Sequence, residues 1–454
     1  MSSREDTIDT FLTNNQSKFI QELTELCAQP SVSARKEGVQ ECAALVASIL
    51  ARHHLDVQLI PTGGSPVVVG RASGGSPQTL LLYNHYDVQP PEPLDLWTTP
   101  PYQPTVREGA LYARGAEDDK GEFIARLAAL EAVRFAHDGK LPCGVTFVVE
   151  GEEEIGSPHM AEFVHGHLDL LKSQATIWEG GGISVEGNPG SVLGLRGVLS
   201  VEIAVKTMSQ DAHSGSAHAL PSAAWRLIRV LTSIKDEHEH ILVPGFYEHA
   251  KPPTDDDLAL IDARPDMETW LKETFGVSQF VNDLHGRNLD KAVFNPTCNI
   301  QGIVTGYQGQ GMKTVIPARA VAKVDFRLVP DQDPKDIFAK LRHYLDQSGF
   351  ADVSLTWLGA MWPFKAPADN PFVQLTAKTA EAVYGKPYEM MPLVGGSSPV
   401  YAFAKPLGNI PVVMAGTGYP NNNAHAPDEH IRLEDFHNGA RHIARILDGF
   451  ASLG

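Results

Sequence analysis

The segment His85-Tyr86-Asp87 is the first in this sequence whose residue types could bind a metal. It follows residues 79–83, an apolar stretch that predicts a strand buried on both faces. Because successive side chains of a strand point to opposite faces, His85 and Asp87 point the same way at the carboxyl end of that strand. A metal-bound histidine favours a carboxylate on its second ring nitrogen, and this spacing supplies one. An ordinary hydrogen-bonded pair at a strand end is the alternative explanation.

Acidic residues are concentrated at three further places. Asp118 lies just before a predicted helix, where a carboxylate can also serve as a helix cap. Glu153 and Glu154 belong to a group of four carboxylates within five positions after a second buried strand, and Glu179 follows a third strand. A solvated acidic loop is the alternative, but like charges crowded at the end of a central strand repel unless a cation joins them. A cation there would leave one glutamate free as a base with a raised pKa.

A second histidine, His425, lies in a loop rich in asparagine and proline near the other end of the chain. Considered singly, this residue and each acidic segment are as typical of a surface loop as of a metal ligand. Together they indicate more, because open α/β sheets place their sites at the carboxyl ends of their strands. Three successive buried strands end at His85, at Glu153 and Glu154, and at Glu179, so we expect these side chains to meet in one crevice. Nitrogen and oxygen ligands without cysteine favour zinc, manganese or cobalt in a hydrolytic site.

The elements that must position these residues predict an α/β domain interrupted by an inserted α+β domain. Continuous apolar segments predict buried strands at 67–69, 79–83, 145–149 and 175–178, and helical spacing predicts helices at 8–27, 39–53 and 121–135. Beyond residue 197 the segments 198–206 and 315–329 alternate apolar and polar residues, with helices expected at 221–234 and 334–348. We therefore expect a catalytic α/β domain with a central, mostly parallel sheet, formed by residues 1–197 and 365–454. Residues 198–364 are expected to form the inserted domain.

The bulk properties exclude several classes of function. A chain of 454 residues exceeds what one hydrophobic core usually supports, in agreement with two domains. The formal net charge of −18, from 37 basic and 55 acidic residues, argues against nucleic acid and anionic membranes as partners. Four scattered cysteines, a polar N-terminal segment without a signal-peptide core and the lack of a membrane-length apolar segment predict a reduced, cytoplasmic protein.

On these residues, and over nearly its full length, the chain resembles the dizinc peptidase family that includes aminoacylases, glutamate carboxypeptidase, succinyl-diaminopimelate desuccinylase and carnosinase-type dipeptidases. The likeness is closest to the dipeptidases. The resemblance implies two zinc ions per chain, with manganese or cobalt as alternatives. It also implies that the inserted domain acts as a lid and as the dimerisation domain of a homodimer.

The resemblance further implies a role for each residue of the expected crevice. One zinc would be held by His85, Asp118 and Glu179, and the other by Glu154, His425 and the same, bridging Asp118. Asp87 would orient His85, Glu153 would be the general base, and a non-proline cis peptide would follow Asp118. Glu179 stands where the dipeptidases more often carry aspartate, whereas glutamate is commoner among the deacylases and carboxypeptidases of the family.

Two segments of the inserted domain and one later loop are similar to substrate-binding motifs of the family. His213 corresponds to the lid histidine that stabilises an oxyanion across the subunit boundary, although by sequence alone it is a strand-end histidine. Arg327 corresponds to the arginine that binds the substrate carboxylate, and otherwise it is a surface arginine on an exposed strand. Gly396 and Ser397 belong to a substrate-terminus loop, while Leu393 stands where relatives often carry arginine.

The resemblance implies hydrolysis of the amide bond of dipeptides or short peptides with a free C-terminal carboxylate. A water molecule activated by the two metal ions would attack, with Glu153 as its general base. Deacylation of N-acyl amino acids requires the same residues and is the nearest alternative, and a catalytically inactive binding protein is the alternative of another class. A serine nucleophile is disfavoured, because neither Ser216 nor Ser397 lies in a nucleophile elbow after a buried strand.

Overall fold

The computed structural model describes residues 3–264 and 266–453, and the chain divides into two compact units. The first unit comprises the chain up to Leu193, the segment Ala366–Met391 and the chain from Ala402 onwards. The second comprises Gly194–Lys365 together with Pro392–Tyr401.

The short segment Pro392–Tyr401 was expected in the catalytic domain and instead belongs to the second unit. Tertiary contacts explain this difference. Val394 forms a β-bridge with Leu195, and Leu393 is buried in a small cluster with Ile261 and Phe294. The apolar side chain of Leu393 therefore has a packing role in this unit.

Helices and strands both occur throughout the described chain. Before the second unit the structure contains α1 (Arg4–Ala28), α2 (Val39–Arg52), β1 (Asp56–Ile60), β2 (Val67–Ala72), β3 (Thr79–His85), β4 (Thr105–Arg107), β5 (Ala110–Tyr112), α3 (Lys120–Ala136), β6 (Gly144–Glu150), α4 (Met160–Gly166), α5 (Leu168–Leu171), β7 (Ala175–Trp178), β8 (Gly182–Ile183) and β9 (Pro189–Val192). There follow β10 (Gly194–Leu195), β11 (Gly197–Lys206), β12 (Ala212–His213), α6 (Ala223–Ile234), α7 (Asp255–Asp262), α8 (Glu268–Phe275), α9 (Arg287–Lys291), β13 (Thr297–Thr305), β14 (Val315–Ile316), β15 (Arg319–Leu328), α10 (Pro334–Gln347), β16 (Ser354–Met361) and β17 (Phe364–Lys365). The chain ends with α11 (Pro371–Tyr384), β18 (Glu389–Met391), α12 (Val400–Ala404), β19 (Val412–Met414), β20 (His430–Arg432) and α13 (Leu433–Phe450).

The central sheet of the first unit has six strands in the order β1-β2-β6-β3-β7-β19. The four strands β6, β3, β7 and β19 are mutually parallel, whereas β1 and β2 are antiparallel to their neighbours. In the register of the sheet, His85 lies opposite Glu150 and Leu82 lies opposite Ile177. The carboxyl ends of β3, β6 and β7 consequently meet at one edge, as the sequence predicts.

Burial explains why these strands consist of continuous apolar residues. Every residue of β6 is buried, as is every residue of β3 after Thr79, because the sheet is covered on both faces. Helix α3 is buried around most of its circumference and packs against both α1 and α13. A helix surrounded in this way is apolar on nearly all sides, and its few buried polar side chains need partners.

The second unit is built on a four-stranded antiparallel sheet in the order β13-β15-β11-β16. Strand β11 alternates buried and half-buried residues, as its sequence predicts. Its buried side chains share a core with helices α6 and α10, formed among others by Leu199, Val201, Ile203, Leu227, Val230, Ile337 and Leu341. Among the described residues, no helix is both long and apolar enough to cross a membrane.

Candidate metal centre

The carboxyl edge of the central sheet gathers the side chains that the sequence places there. His85 is the last residue of β3, and Glu179 directly follows β7. Glu153 and Glu154 lie in a short 3-10 helix after β6. The parallel order β6-β3-β7 therefore puts the histidine between the two acidic segments.

Asp118, which precedes α3, lies between two histidines from distant parts of the chain. Its Oδ1 is 3.0 Å from His85 Nε2, and its Oδ2 is 2.9 Å from His425 Nε2. Each histidine has a second carboxylate nearby, with Glu179 Oε2 at 3.5 Å from His85 Nε2 and Glu154 Oε2 at 3.2 Å from His425 Nε2. A carboxylate whose two oxygens face two different imidazoles has the arrangement needed to bridge two cations.

The potential ligand atoms form two adjacent groups. In each group, one atom from every member lies within 4.8 Å of the others; the groups are His85, Glu153 and Glu179, and Asp118, Glu154 and His425. The resemblance assigned Asp118 to both ions and kept Glu153 out of both ligand sets. In the structure, Glu153 is the third member of the first group, and Asp118 reaches that group through His85.

The chemistry of this cluster fits divalent cations. Glu154 Oε1 and Glu179 Oε2 are buried and have no hydrogen-bond partner among the described residues. Buried carboxylate oxygens without a partner are costly, so their place in the cluster is explained if each contacts a cation. Imidazole nitrogen and carboxylate oxygen, with no thiolate among them, are ligands that suit zinc, manganese or cobalt.

The pKa shifts within the cluster also favour a bound cation. Burial raises the pKa of Glu153, and the neighbouring charge of Glu154 raises it further. The hydrogen bond to Asp118, followed by that to Glu154, raises the pKa of His425 to about 10. Without a cation, His425 therefore holds a proton at neutral pH, and its positive charge offsets part of the crowded negative charge. A divalent ion would take the place of that proton.

Asp87 contributes to the centre in two ways. Its main-chain oxygen is 2.9 Å from His85 Nδ1, whereas its carboxylate Oδ1 is 3.4 Å away. The main-chain oxygen is thus the nearer partner, although the resemblance suggests the carboxylate for this role. The Asp87 carboxylate instead accepts hydrogen bonds from the backbone N–H groups of Glu153 (3.2 Å) and Glu154 (3.1 Å). It therefore positions both glutamates.

A cis peptide joins Asp118 to Asp119, in agreement with the family resemblance. The carboxylate of Asp119 accepts hydrogen bonds from Asn84 Nδ2 at 2.7 Å and from the backbone N–H of His85 at 2.9 Å. Asp119 thereby ties the start of α3 to the end of β3.

Sequence analysis missed two buried charged residues beside the centre, Arg126 and Glu429. Arg126 is fully buried in α3 and donates to the main-chain oxygens of Tyr83 and, at 2.7 Å, Trp178. It also pairs with the Glu122 carboxylate at 3.2 Å. An arginine on the apolar side of a buried helix was the available signal for this residue. Glu429 had no comparable local signal, since it stands in an ordinary polar loop.

The predicted carboxylate-binding residues belong to the second unit. Arg327, on β15, donates from Nη1 to Ser397 Oγ at 2.9 Å, and its Nε lies 3.7 Å from Asp325 Oδ2. Gly396 precedes Ser397 in the same loop. The structure thus brings Arg327 and this loop together within one unit.

His213 also belongs to the second unit, at the end of β12, and its side chain is exposed. Its Nδ1 accepts a hydrogen bond from the backbone N–H of Gly215 at 3.0 Å, and its Nε2 is 3.3 Å from Thr314 Oγ1. The metal-binding candidates all lie in the first unit, so His213 is not a member of that cluster.

Comparisons with known proteins place nearly the whole chain beside peptidases. Residues 81–449 match the model of peptidase family M20/M25/M40. The Beta-Ala-His dipeptidase of Homo sapiens is 29% identical, covering 97% of this chain and 91% of its own. The Cys-Gly metallodipeptidase dug1 of Schizosaccharomyces pombe is 27% identical, covering 99% of this chain and 98% of its own. The crystal structure of the M20 family metallo-carboxypeptidase Sso-CP2 from Sulfolobus solfataricus superposes with a TM-score of 0.86 at 33% identity, covering 96% of this chain and 99% of that one.

Proposed function

Because this chain belongs to peptidase family M20/M25/M40 and is a metal-dependent peptidase, we propose that it hydrolyses dipeptides or short peptides that end in a free carboxylate. The feature that supports this most is the carboxylate of Asp118, whose two oxygens face His85 and His425 at 3.0 and 2.9 Å. A carboxylate shared in this way suits a centre of two metal ions. Relatives that span nearly the whole chain are named as dipeptidases.

We infer that the centre binds two Zn²⁺ ions per chain, which Mn²⁺ or Co²⁺ can replace. His85 and Glu179 would hold one ion, Glu154 and His425 the other, and Asp118 would contact both. Bound metal would polarise the scissile carbonyl group and lower the pKa of water towards neutrality.

Glu153 is the residue that we propose as the general base. Burial, and after it the charges of neighbouring carboxylates, raise its pKa, which increases its affinity for a proton taken from water. The water oxygen then bonds to the scissile carbonyl carbon, the carbon–nitrogen bond breaks, and the same carboxyl group returns the proton to the departing amine. During these steps the Asp87 carboxylate keeps the backbone of Glu153 in place, because it accepts a 3.2 Å hydrogen bond from the N–H group of Glu153.

We propose that Arg327 binds the free carboxylate of the substrate, together with Ser397 and the backbone at Gly396. The guanidinium group is well suited to a carboxylate because it offers parallel N–H donors. The 2.9 Å hydrogen bond between Arg327 and Ser397 supports a shared site. Leu393, which is buried in its own apolar cluster, offers no second cation, so recognition of the carboxylate depends on Arg327.

We further propose that the chain forms a homodimer through the second unit, and that His213 stabilises the oxyanion in the partner's site. Two observations support this. The imidazole of His213 is exposed, and the edge strand β13 presents apolar side chains such as Ile303 (48% exposed) and Val304 (68% exposed). An exposed apolar edge strand is a surface that proteins usually cover.

We place the protein in the cytoplasm. All four cysteines, at positions 27, 42, 143 and 298, are free and buried in the structure. Unpaired cysteines are typical of proteins from reducing compartments.

A substrate panel tests the proposed function. Dipeptides, the same dipeptides with an amidated C-terminus, and N-acetyl and N-succinyl amino acids are assayed with zinc, manganese and cobalt. We expect the free dipeptides to be hydrolysed with the highest kcat/KM, and amidation to lower kcat/KM strongly, because it removes the charge that Arg327 binds. A preference for N-acyl amino acids would identify a deacylase instead, and no hydrolysis of any of these compounds would refute the proposal.

A further inference from the structure

Glu429 is a fully buried carboxylate that lies beside the metal centre and belongs to neither group of ligands. Its Oε2 accepts hydrogen bonds from Arg114 Nη1 at 2.6 Å and from the backbone N–H of Gly115 at 2.9 Å. Its Oε1 accepts from the backbone N–H groups of Glu117 at 3.0 Å and Asp118 at 3.1 Å. One side chain therefore satisfies four donors, three of them in the loop that ends at Asp118.

The shape of this loop explains why three backbone N–H groups converge. Gly115 has a φ of +80°, a conformation that side-chain-bearing residues rarely adopt. Successive N–H groups in such a turn point into a common concavity that suits an anion. In this protein a side chain supplies the anion, and the buried guanidinium of Arg114, which is 1% exposed, balances its charge.

Glu429 also connects this loop to the segment that carries His425. The main-chain oxygen of Glu429 accepts from the N–H of Ala113 at 3.1 Å, and β20, which begins at the next residue, pairs with β5. Asp118 and His425 are 307 positions apart in sequence, yet Asp118 Oδ2 and His425 Nε2 are 2.9 Å apart. Contacts between the two segments hold that distance, and Glu429 contributes several of them through its side chain and main chain.

We propose that Glu429 is a positioning residue for the metal centre. It fixes the backbone of residues 115–118 so that the carboxylate of Asp118 remains between His85 and His425. This role rests on the metal centre proposed above, but it concerns the geometry of ligands and not the choice of substrate. A purely structural role would instead lower the stability of the fold and leave metal affinity unchanged.

The test compares two substitutions of Glu429 with a matched control in the same loop. Glu429→Gln keeps the size of the side chain but turns one acceptor oxygen into a donor that opposes the backbone N–H groups. Glu429→Asp keeps the charge and shortens the reach. The control is Asp428→Asn, because Asp428 accepts from the N–H and hydroxyl groups of Thr98 at 2.9 and 2.6 Å and contacts Arg107, away from the Asp118 loop.

Co²⁺ is titrated into each metal-free variant, and its affinity, stoichiometry and visible absorption spectrum are recorded beside the free energy of unfolding. We expect both Glu429 variants to bind Co²⁺ roughly ten- to a hundredfold more weakly, the usual effect of losing a residue that orients metal ligands. Their spectra should change as well, since the ligand geometry changes. Asp428→Asn should keep the affinity and the spectrum of the unaltered protein even where its stability falls.

The proposal would be overturned if both Glu429 variants bind Co²⁺ with the affinity and the spectrum of the unaltered protein. If Glu429→Gln does not fold, the result for Glu429→Asp decides. If the unaltered protein itself binds less than one Co²⁺ per chain, the proposed metal centre is wrong, and the positioning role falls with it.

Discussion

Glu153 and Glu154 are neighbours in sequence, yet the structure directs their carboxylates to different groups of ligands. Glu154 Oε2 lies 3.2 Å from His425 Nε2 and also accepts a hydrogen bond from Gln89 Nε2 at 2.8 Å. The Glu153 carboxylate instead lies in the group that contains His85. The two residues are anchored through their backbone N–H groups to Asp87, so each side chain can take a separate role.

Substituting these two glutamates should separate catalysis from metal binding. Glu153→Gln removes the base and is expected to lower kcat on the order of a hundredfold or more, since general-base catalysis contributes that much. Metal content should stay near that of the unaltered protein. Glu154→Gln, the matched control, loses a proposed ligand and should lose metal as well as activity. Steady-state kinetics measures kcat, and elemental analysis measures the metal content. Near-normal turnover in Glu153→Gln would assign the base to another residue.

Metal binding should release protons at neutral pH. Hydrogen bonds to Asp118 and Glu154 raise the pKa of His425 to about 10, so its imidazole is protonated at pH 7 in the metal-free protein. A metal ligand must be a neutral imidazole, so binding expels that proton, and the affinity should rise with pH up to about 10. Calorimetric titration of Zn²⁺ in two buffers of different ionisation enthalpy measures the release. His425→Asn should release about one proton fewer, and identical heats in the two buffers would contradict the prediction.

At the scale of elements, helix α3 holds the strand ends of the metal centre in place. Arg126 donates to the main-chain oxygen of Tyr83, two residues before His85, and to that of Trp178, the residue before Glu179. Its partner Glu122 accepts from the N–H of Gly180 at 3.0 Å, just beyond β7. The buried ion pair therefore fixes the spacing between two strands at the edge where the centre lies.

Removing the guanidinium of Arg126 should destabilise the fold strongly. Arg126→Met leaves Glu122 buried without its cation and should cost about 3–5 kcal/mol of unfolding free energy, the usual result of breaking a buried ion pair from one side. Arg134→Met is the control in the same helix. Arg134 is half-buried, donates to the main-chain oxygen of His53 at 2.9 Å and pairs with Glu131. Glu131 is itself half-buried and keeps His53 as a second partner at 3.7 Å, so the loss of Arg134 should cost only about 1–3 kcal/mol. The unfolding free energy of both variants is measured by chemical denaturation without metal. Equal losses of unfolding free energy in the two variants would refute the role assigned to Arg126.

At the scale of the whole molecule, the proposed reaction requires groups from both compact units. The metal-binding candidates and Glu153 belong to the first unit, whereas His213, Arg327 and Ser397 belong to the second. Neither unit alone carries the base and the carboxylate site together. The proposed homodimer is therefore tested through one residue of each unit.

Mixing two inactive variants tests whether His213 acts across the dimer. His213→Ala retains its own metal centre and Glu153, while Glu153→Gln retains His213. If the histidine serves the partner, a mixed dimer contains one complete site, and random exchange of subunits should restore about a quarter of the original activity. Activity that stays at the mean of the two separate variants would contradict a role in trans, as would a fully active monomer in light scattering.

Local patterns in the sequence determined the main elements and the kinds of ligand. Strands buried on both faces are continuously apolar, and β11 alternates because one of its faces is less buried, so periodicity alone predicted β3, β6, β7 and β11. Parallel strands end at one edge of a sheet, and this sufficed to expect His85, Glu153, Glu154 and Glu179 near one another.

Only the tertiary structure determines which residues from distant parts of the chain contact these elements and ligands. Pro392–Tyr401 joins the second unit through the bridge of Val394 to Leu195, and Glu429 binds the loop before Asp118 across more than 300 positions of sequence. Periodicity indicates whether a residue is buried in its own element. It does not indicate which remote backbone N–H groups donate hydrogen bonds to a buried carboxylate. The His, Asp and Glu residues of the proposed centre are scattered along the sequence. Folding brings them together through partners such as Glu429, for which the sequence carries no local pattern.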